Sequence, residues 1–161
     1  MVSQHDGRLH TTLHHEVAMY QHMQPLQGEY IPELVDRGYI KDTNLFFLAT
    51  KLQEGDLSTA PLELLSDIRK SALAAMDRFQ EFKVAHNSIK GVNFVYTKTG
   101  KAMVIDFHRS TWPACEATLK SERYDADIML QRLQLVAKTV VSVLQRLPAA
   151  AGGSRQAQWQ K

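Results

Sequence analysis

The sequence has a single cysteine, Cys115, so a disulfide within the chain is excluded and a reducing compartment is the simpler expectation. It also has little net charge, because 19 lysines and arginines nearly balance 17 aspartates and glutamates. A net charge of +2 predicts no electrostatic attraction to nucleic acid or to an anionic membrane. The polar N-terminus lacks the apolar core of a signal peptide, and cations interrupt the apolar stretch 128–147. We therefore expect a protein of the cytoplasm or nucleus that binds neither nucleic acid nor membrane.

What the chain does contain is the composition of one globular domain: 161 residues, of which 44% are hydrophobic. Apolar residues at helical spacing predict three amphipathic helices, and paired extended runs predict two antiparallel hairpins. Because helices and strands do not alternate regularly, the pattern favours an α+β fold. The helices are expected over 12–23, 61–83 and 125–147, and the hairpins over 33–40 with 44–50 and over 92–96 with 102–107.

The remaining segments carry finer expectations. The run 45–48 is apolar without alternating polar residues, which predicts a strand that is buried on both faces. Residues 53–56 read as a linker and residues 109–123 as irregular. We expect disorder over 1–11 and over the tail 148–161. The last helix should bury one apolar seam, formed by Met129, Leu133, Val136, Val140, Val143 and Leu147.

The most informative stretch runs from His86 to Asn93 and is followed, after a short hairpin, by Asp106-Phe107-His108. It resembles the catalytic loop of protein kinases, H-R-D-L-x-x-x-N, and the D-F-G motif that follows it. Four features in the family's order carry this resemblance over about residues 12–130. They are Glu16 on the first helix, the segment 44–56, the 86–93 loop and Asp106-Phe107-His108. The phrase Leu26-Gln27-Gly28-x-x-Ile31-Pro32 is also similar to small kinase-like proteins of filamentous fungi.

The resemblance implies a protein-kinase-like fold over 12–147, with a remnant small lobe and a reduced, mainly helical large lobe. The remnant lobe, 12–52, would consist of a helix and a β-hairpin, and the large lobe would cover 53–147. In this fold Glu16 corresponds to the glutamate that pairs with the nucleotide-binding lysine. Thr50 and Leu52 fall in the segment that contacts adenine.

The same resemblance implies ATP and Mg²⁺ as cofactors, held weakly or lost. Asp106 and Asn93 would supply oxygen ligands to the metal. Lys90 would offset charge on the transferred phosphate. His86 would organise the loop by packing beneath it and bonding a backbone carbonyl.

Three departures from the kinase pattern argue against catalysis. Ser88 stands at the position of the aspartate that orients the attacking hydroxyl, and the loss of a general base costs ~10²–10⁴-fold in rate. His108 replaces the flexible glycine after Asp106. Nothing before residue 12 supplies a Gly-rich loop or the strand lysine. The prediction is a pseudokinase with little or no ATP binding; the alternatives are a weakly active kinase and a protein-interaction module that binds through the seam of the last helix.

Other candidates are weaker. Asp127 is either a buried aspartate that braces the catalytic-like loop or a charge near the start of the last helix. His10 and His14 have the i, i+4 spacing that can place two imidazoles on one metal. Cys115 as a nucleophile would need an activating base. We also expect an unidentified protein partner and self-association, because a remnant small lobe leaves apolar strand surface uncovered.

Overall fold

The computed structural model describes residues 4–146, with side chains described for 12–143, 145 and 146. The fold is α+β, as predicted, and has two small antiparallel sheets. Single turns of 3-10 helix precede α2 and β4 and follow α1 and β5. The elements in chain order are α1 (Gln4–His22), β1 (Leu34–Tyr39), β2 (Phe46–Thr50), β3 (Gly55–Asp56), α2 (Leu65–Glu81), β4 (Phe94–Tyr96), β5 (Ala102–Val104) and α3 (Glu116–Arg146).

Both predicted hairpins are confirmed. Strands β1 and β2 pair antiparallel, with Tyr39 opposite Phe46, and β4 and β5 pair with Phe94 opposite Val104. The expectation that 45–48 is buried on both faces is wrong, because Leu45 is exposed and 46–48 are half-buried. Among the described residues this sheet consists of β1 and β2 alone, so both are edge strands.

The predicted linker 53–56 is in part a strand. Gly55 and Asp56 pair with Tyr96 and Val95, so that β3 forms the edge of the three-stranded sheet. A side chain at Gly55 would collide with the hydroxyl of Thr59, only 2.4 Å from the position of a Cβ atom. Any larger residue at this position would therefore force the side chain of Thr59 to move.

Helices α1 and α3 both begin earlier than the sequence predicted. Helix α1 starts at Gln4 rather than at residue 12. Helix α3 starts at Glu116, inside the segment 109–123 that was expected to be irregular. The expected disordered tail, 148–161, lies outside the described residues.

The predicted seam of α3 is wrong in its second half. Met129 and Leu133 are half-buried, but Val136, Val140 and Val143 are exposed; Leu147 lies outside the described residues. The side that faces the core is instead lined by Leu119, Glu122, Ala126 and Leu130. The far end of α3 instead turns the half-buried Ala137, Val141 and Ser142 toward the start of α2, where they line a groove with Leu65 and Ser66. The three valines lie on another side of the helix.

The core lies between the three helices and the three-stranded sheet. Its largest fully buried side chains come from α1, α2, β4 and β5 and from the segments that follow α1, α2 and β5. The largest buried side chains include Tyr20, Phe79, Phe94, Phe107, Met23, Ile68 and Met76.

No helix in the range 4–146 combines the length and apolar character that a membrane span requires.

Candidate functional site

Glu122 of α3 anchors the start of the 86–93 loop. One carboxylate oxygen accepts a hydrogen bond of 2.8 Å from the backbone N–H of His86, and the other accepts one from the N–H of Asn87. Asn87 has a left-handed backbone (φ 59°), which turns both amides toward α3. Burial raises the pKa of Glu122, and the two backbone bonds oppose that rise. The loop is thus held by a carboxylate from a distant helix.

His86 lies completely buried beneath the loop. Its ring Nε2 is 2.8 Å from the carbonyl oxygen of Ile105, and because a carbonyl only accepts, Nε2 must carry the proton. Burial lowers the pKa of His86, so the ring is neutral and Nδ1 is an acceptor. Within the described part of the chain, Nδ1 has no hydrogen-bond partner. His86 therefore ties the loop to the segment that leads to Asp106.

A stack of aromatic rings joins α1, the 86–93 loop and the Asp106 segment. The ring of Phe107 meets Tyr20 edge-on at 5.4 Å and His86 at 5.1 Å, and Phe79 of α2 packs on it at 5.7 Å. Tyr20 is buried, and burial together with the nearby Glu16 and Asp106 raises its pKa. Phe107 is therefore the packing centre that aligns the three segments.

Ser88, near the start of the loop, bonds to Asn93 at its end. The side-chain nitrogen of Asn93 donates to the backbone carbonyl of Ser88 (2.9 Å) and lies 3.2 Å from its hydroxyl. Both side chains are buried. The backbone carbonyl of Asn93 accepts from the N–H of Ile105, which sets the loop beside the chain that ends at Asp106. The amide of Asn93 thus directs its nitrogen at Ser88.

Asp106 occupies a strained position beside Glu16. Its backbone is left-handed (φ 72°), which aspartate tolerates better than most residues, and its carboxylate bonds to Nδ1 of His108. The carboxylate of Glu16 accepts a 3.2 Å bond from the N–H of Phe107. Burial raises the pKa of Glu16, and repulsion from Asp106 adds to the rise; the Phe107 bond and the nearby His108 and His15 oppose it.

The structure thus brings together five of the predicted site residues: His86, Ser88, Asn93, Asp106 and Glu16. It leaves the others at the periphery. Lys90 is exposed, Thr50 ends β2, and Leu52 is 94% exposed. Cys115 is exposed, with its Sγ 3.2 Å from the hydroxyl of Thr118.

Neither alternative for Asp127 is confirmed, because α3 begins 11 residues earlier, at Glu116, and the partner of Asp127 lies outside the loop. Asp127 forms an ion pair of 2.6 Å with Arg69 of α2, and the carboxylate that holds the loop belongs to Glu122. A signal for Glu122 was present, because Leu119, Glu122, Ala126 and Leu130 follow helical spacing. It was missed because residues 109–123 were read as irregular.

The metal site suggested for His10 and His14 stays untested, because the side chain of His10 is not among those described. The ring of His14 packs at 4.1 Å on Phe46. Among the described side chains, no group of three or more His, Cys, Asp or Glu is placed to hold a metal.

The site combines two acidic side chains, one neutral buried imidazole and one buried amide, all on segments held by distant helices. Asp106 and Glu16 offer oxygen atoms to a cation, whereas position 88 offers no carboxylate because it is a serine. The chemistry of the site has to be read from this geometry, because comparison with protein-family models and with curated protein sequences finds no match for this chain.

Proposed function

We propose that this chain is a protein-kinase-like module that does not transfer phosphate, a pseudokinase. Helix α1 and the β1–β2 hairpin correspond to the remnant small lobe, and the remaining elements to the reduced large lobe. The order of elements fits the resemblance. So does the meeting of Glu16, Asp106 and the 86–93 loop at one place, since the resemblance assigns all three to a single nucleotide site.

The observation that carries the proposal is the state of the loop at Ser88. A kinase needs a carboxylate there to orient the attacking hydroxyl. Here a buried serine stands in its place, and the amide of Asn93 lies within hydrogen-bond distance of its carbonyl and hydroxyl. A serine hydroxyl has no anionic oxygen at neutral pH. Glu122 holds the loop in place, yet the loop has no carboxylate at position 88, where a kinase has its aspartate.

Mg²⁺ and ATP are the cofactors that the resemblance implies, and the residues fit them only in part. Asp106 offers the hard anionic oxygen that Mg²⁺ prefers, but His108 bonds to one of its two oxygens. Asn93 directs its amide nitrogen at Ser88, so its oxygen is the atom that could serve as a ligand. Bound Mg²⁺-ATP would supply the phosphoryl group and the charge that neutralises it. A cation held by both oxygens of Asp106 would require His108 to leave.

Glu16 also lacks the partner that a kinase provides. Among the ion pairs of the described side chains (12–143, 145 and 146), none includes Glu16, whose carboxylate accepts from the N–H of Phe107 instead. A lysine paired with this glutamate would hold the nucleotide phosphates. We infer that phosphate binding at this site is weak.

The first prediction concerns nucleotide affinity. Millimolar ATP with Mg²⁺ should raise the melting temperature by no more than ~2 °C, because a ligand near its Kd stabilises by only ~0.4 kcal/mol. Differential scanning fluorimetry measures the shift, with Asp106→Ala as the matched control. A larger rise that needs Mg²⁺ and disappears in Asp106→Ala would contradict weak binding.

The second prediction concerns phosphate transfer. We expect none from the native chain and none from Ser88→Asp, because a restored carboxylate acts only on a nucleotide that is already positioned. Labelled ATP with a generic protein substrate measures transfer, again with Asp106→Ala as the blank. Native activity above the blank would favour the weakly active kinase. Activity in Ser88→Asp alone would mean that the nucleotide site is intact and that Ser88 disables it.

The weakly active kinase remains the second candidate because one observation favours it. The bonds from Glu122 and from His86 keep the 86–93 loop assembled, and positioning carries most of the catalysis of phosphoryl transfer. Such bracing is equally useful to a module that only presents a surface to a protein partner. Transfer of phosphate separates the two.

A further inference from the structure

The second half of α3 carries an apolar stripe that the body of the protein leaves uncovered. The stripe consists of Met129, Leu133, Val136, Val140 and Val143, hereafter the α3 stripe. The first two side chains pack partly on the core, whereas the three valines are exposed. Three exposed valines in a row along one helix face are costly to leave in water, which points to a partner.

The spacing of the α3 stripe indicates what shape that partner has. Its members follow one another at intervals of 4, 3, 4 and 3 residues, the heptad spacing of a coiled coil. At 100° per residue they cover a band only ~80° wide. A helix that lies on a membrane usually presents a broader apolar face, and a narrow seam is what a second helix covers. The geometry therefore favours a helix as the occupant.

The charges around the α3 stripe indicate which helix. Two arginines, Arg132 and Arg146, lie beside the stripe, whereas Lys138 lies on the opposite side of the helix at 100° per residue. Neither arginine takes part in an ion pair within the described range. Arg132 lies in a groove with Met129, Leu133 and Val136 that Asp125 also lines, so the flank of the stripe carries two cations and one anion. This excess of positive charge favours an acidic complement over a second copy.

We propose that the α3 stripe binds an amphipathic helix of another protein, whose apolar seam is flanked by aspartate or glutamate. The valines and Leu133 would pack against the partner's seam, and the flanking cations would meet its carboxylates. The proposed contact uses no residue of the 86–93 loop, so the proposal holds whether or not the chain binds nucleotide.

The test uses the full chain and two fluorescent synthetic helices of about four heptads, long enough to form a helix on binding. Both have leucine at the seam positions; one has glutamate and the other lysine at the flanking positions. Fluorescence anisotropy should give saturable binding of the glutamate helix at least ~10-fold tighter than that of the lysine helix. Equal binding of the two, or none, would overturn the proposal.

Two adjacent residues provide a matched pair of variants. Val136 is 61% exposed and on the stripe; Leu135 is 66% exposed and off it. Val136→Asp should abolish binding of the glutamate helix, and Leu135→Asp should leave it within ~3-fold of the native value. Val140→Asp provides a second stripe variant, with circular dichroism to verify folding. Loss in Leu135→Asp but not in the stripe variants would place the contact elsewhere and contradict the proposal.

The other occupants give distinct results. Sedimentation of the chain alone should show no dimer that depends on the stripe. A dimer that dissociates in Val136→Asp would identify the occupant as a second copy and overturn the proposal. Vesicles with anionic lipid should not bind the chain through the stripe. Stripe-dependent vesicle binding without binding of the glutamate helix would identify a membrane surface instead.

Discussion

Replacing Glu122 with glutamine should lower the free energy of unfolding by about 3 kcal/mol, or the melting temperature by about 6–12 °C. The two carboxylate oxygens accept from two different backbone amides, those of His86 and Asn87. Glutamine presents one oxygen and one NH₂ group, so one amide loses its acceptor and faces a donor. Urea unfolding followed by circular dichroism measures the change.

Asp127→Asn is the matched control, because it changes another carboxylate on the same helix. Asp127 and its partner Arg69 are both partly exposed, and such pairs contribute ~1 kcal/mol or less. We expect this variant to lose about that amount. If Asp127→Asn were the more damaging of the two changes, Asp127 rather than Glu122 would brace the fold.

The dependence of stability on pH provides a second measurement on Glu122. Burial raises the folded pKa of Glu122 above its ordinary value of 4.5, so the native state binds the proton more tightly than the unfolded state does. The resulting stability is fully present below pH ~4.5 and is lost as pH rises through the folded pKa. Glu16 contributes a slope of the same sign. Glu122→Gln should therefore reduce the slope and leave the part due to Glu16.

Removing the ring of Phe107 should have the largest effect on stability. Phe107→Ala should cost about 3–5 kcal/mol, because it opens a cavity where four segments meet and removes the edge-on contacts with Tyr20, Phe79 and His86. Phe107→Leu retains most of the apolar volume and should cost roughly 1–2 kcal/mol. Denaturant unfolding of both variants measures these values.

Phe82→Ala is the control for Phe107→Ala, since Phe82 is also aromatic but only half-buried at the end of α2. Its ring meets His22 edge-on and has no contact with the stack at Phe107 among the ring pairs described. We expect a loss well below that of Phe107→Ala. Equal losses would mean that the ring stack has no special part in joining α1 to the 86–93 loop.

Local patterns in the sequence predicted the elements that depend on near neighbours. The hairpin β4–β5 was predicted from two extended runs, and the turn between them contains Gly100, which adopts the left-handed backbone that glycine allows (φ 76°). Helix α2 was predicted from one apolar face, and its Ile68, Ala72, Met76 and Phe79 are buried as that face requires. Turn chemistry and helical periodicity are settled within a few residues, so they can be read without the fold.

The site was predicted in part for the same reason. The motif residues His86, Ser88, Asn93 and Asp106 are close in sequence, and the structure brings them together. Glu122 acts across 36 residues and Glu16 across 91, so only folding brings either of them to the loop and the Asp106 segment. The bond between Asp106 and His108 and the contact between Asn93 and Ser88 also depend on side-chain geometry. The spacing of residues along the sequence does not specify that geometry.

The sequence by itself determined the α+β class, both hairpins, the helix that became α2 and the motif of the 86–93 loop. Tertiary structure decided which face of α3 is buried, because the packing of α3 against α2 leaves Ala126 and Leu130 in the core and Val140 and Val143 exposed. It also made Gly55-Asp56 a strand, since a two-residue run pairs only if β4 lies beside it. Apolar periodicity says which side chains share a face, and only the neighbouring elements decide whether that face is covered.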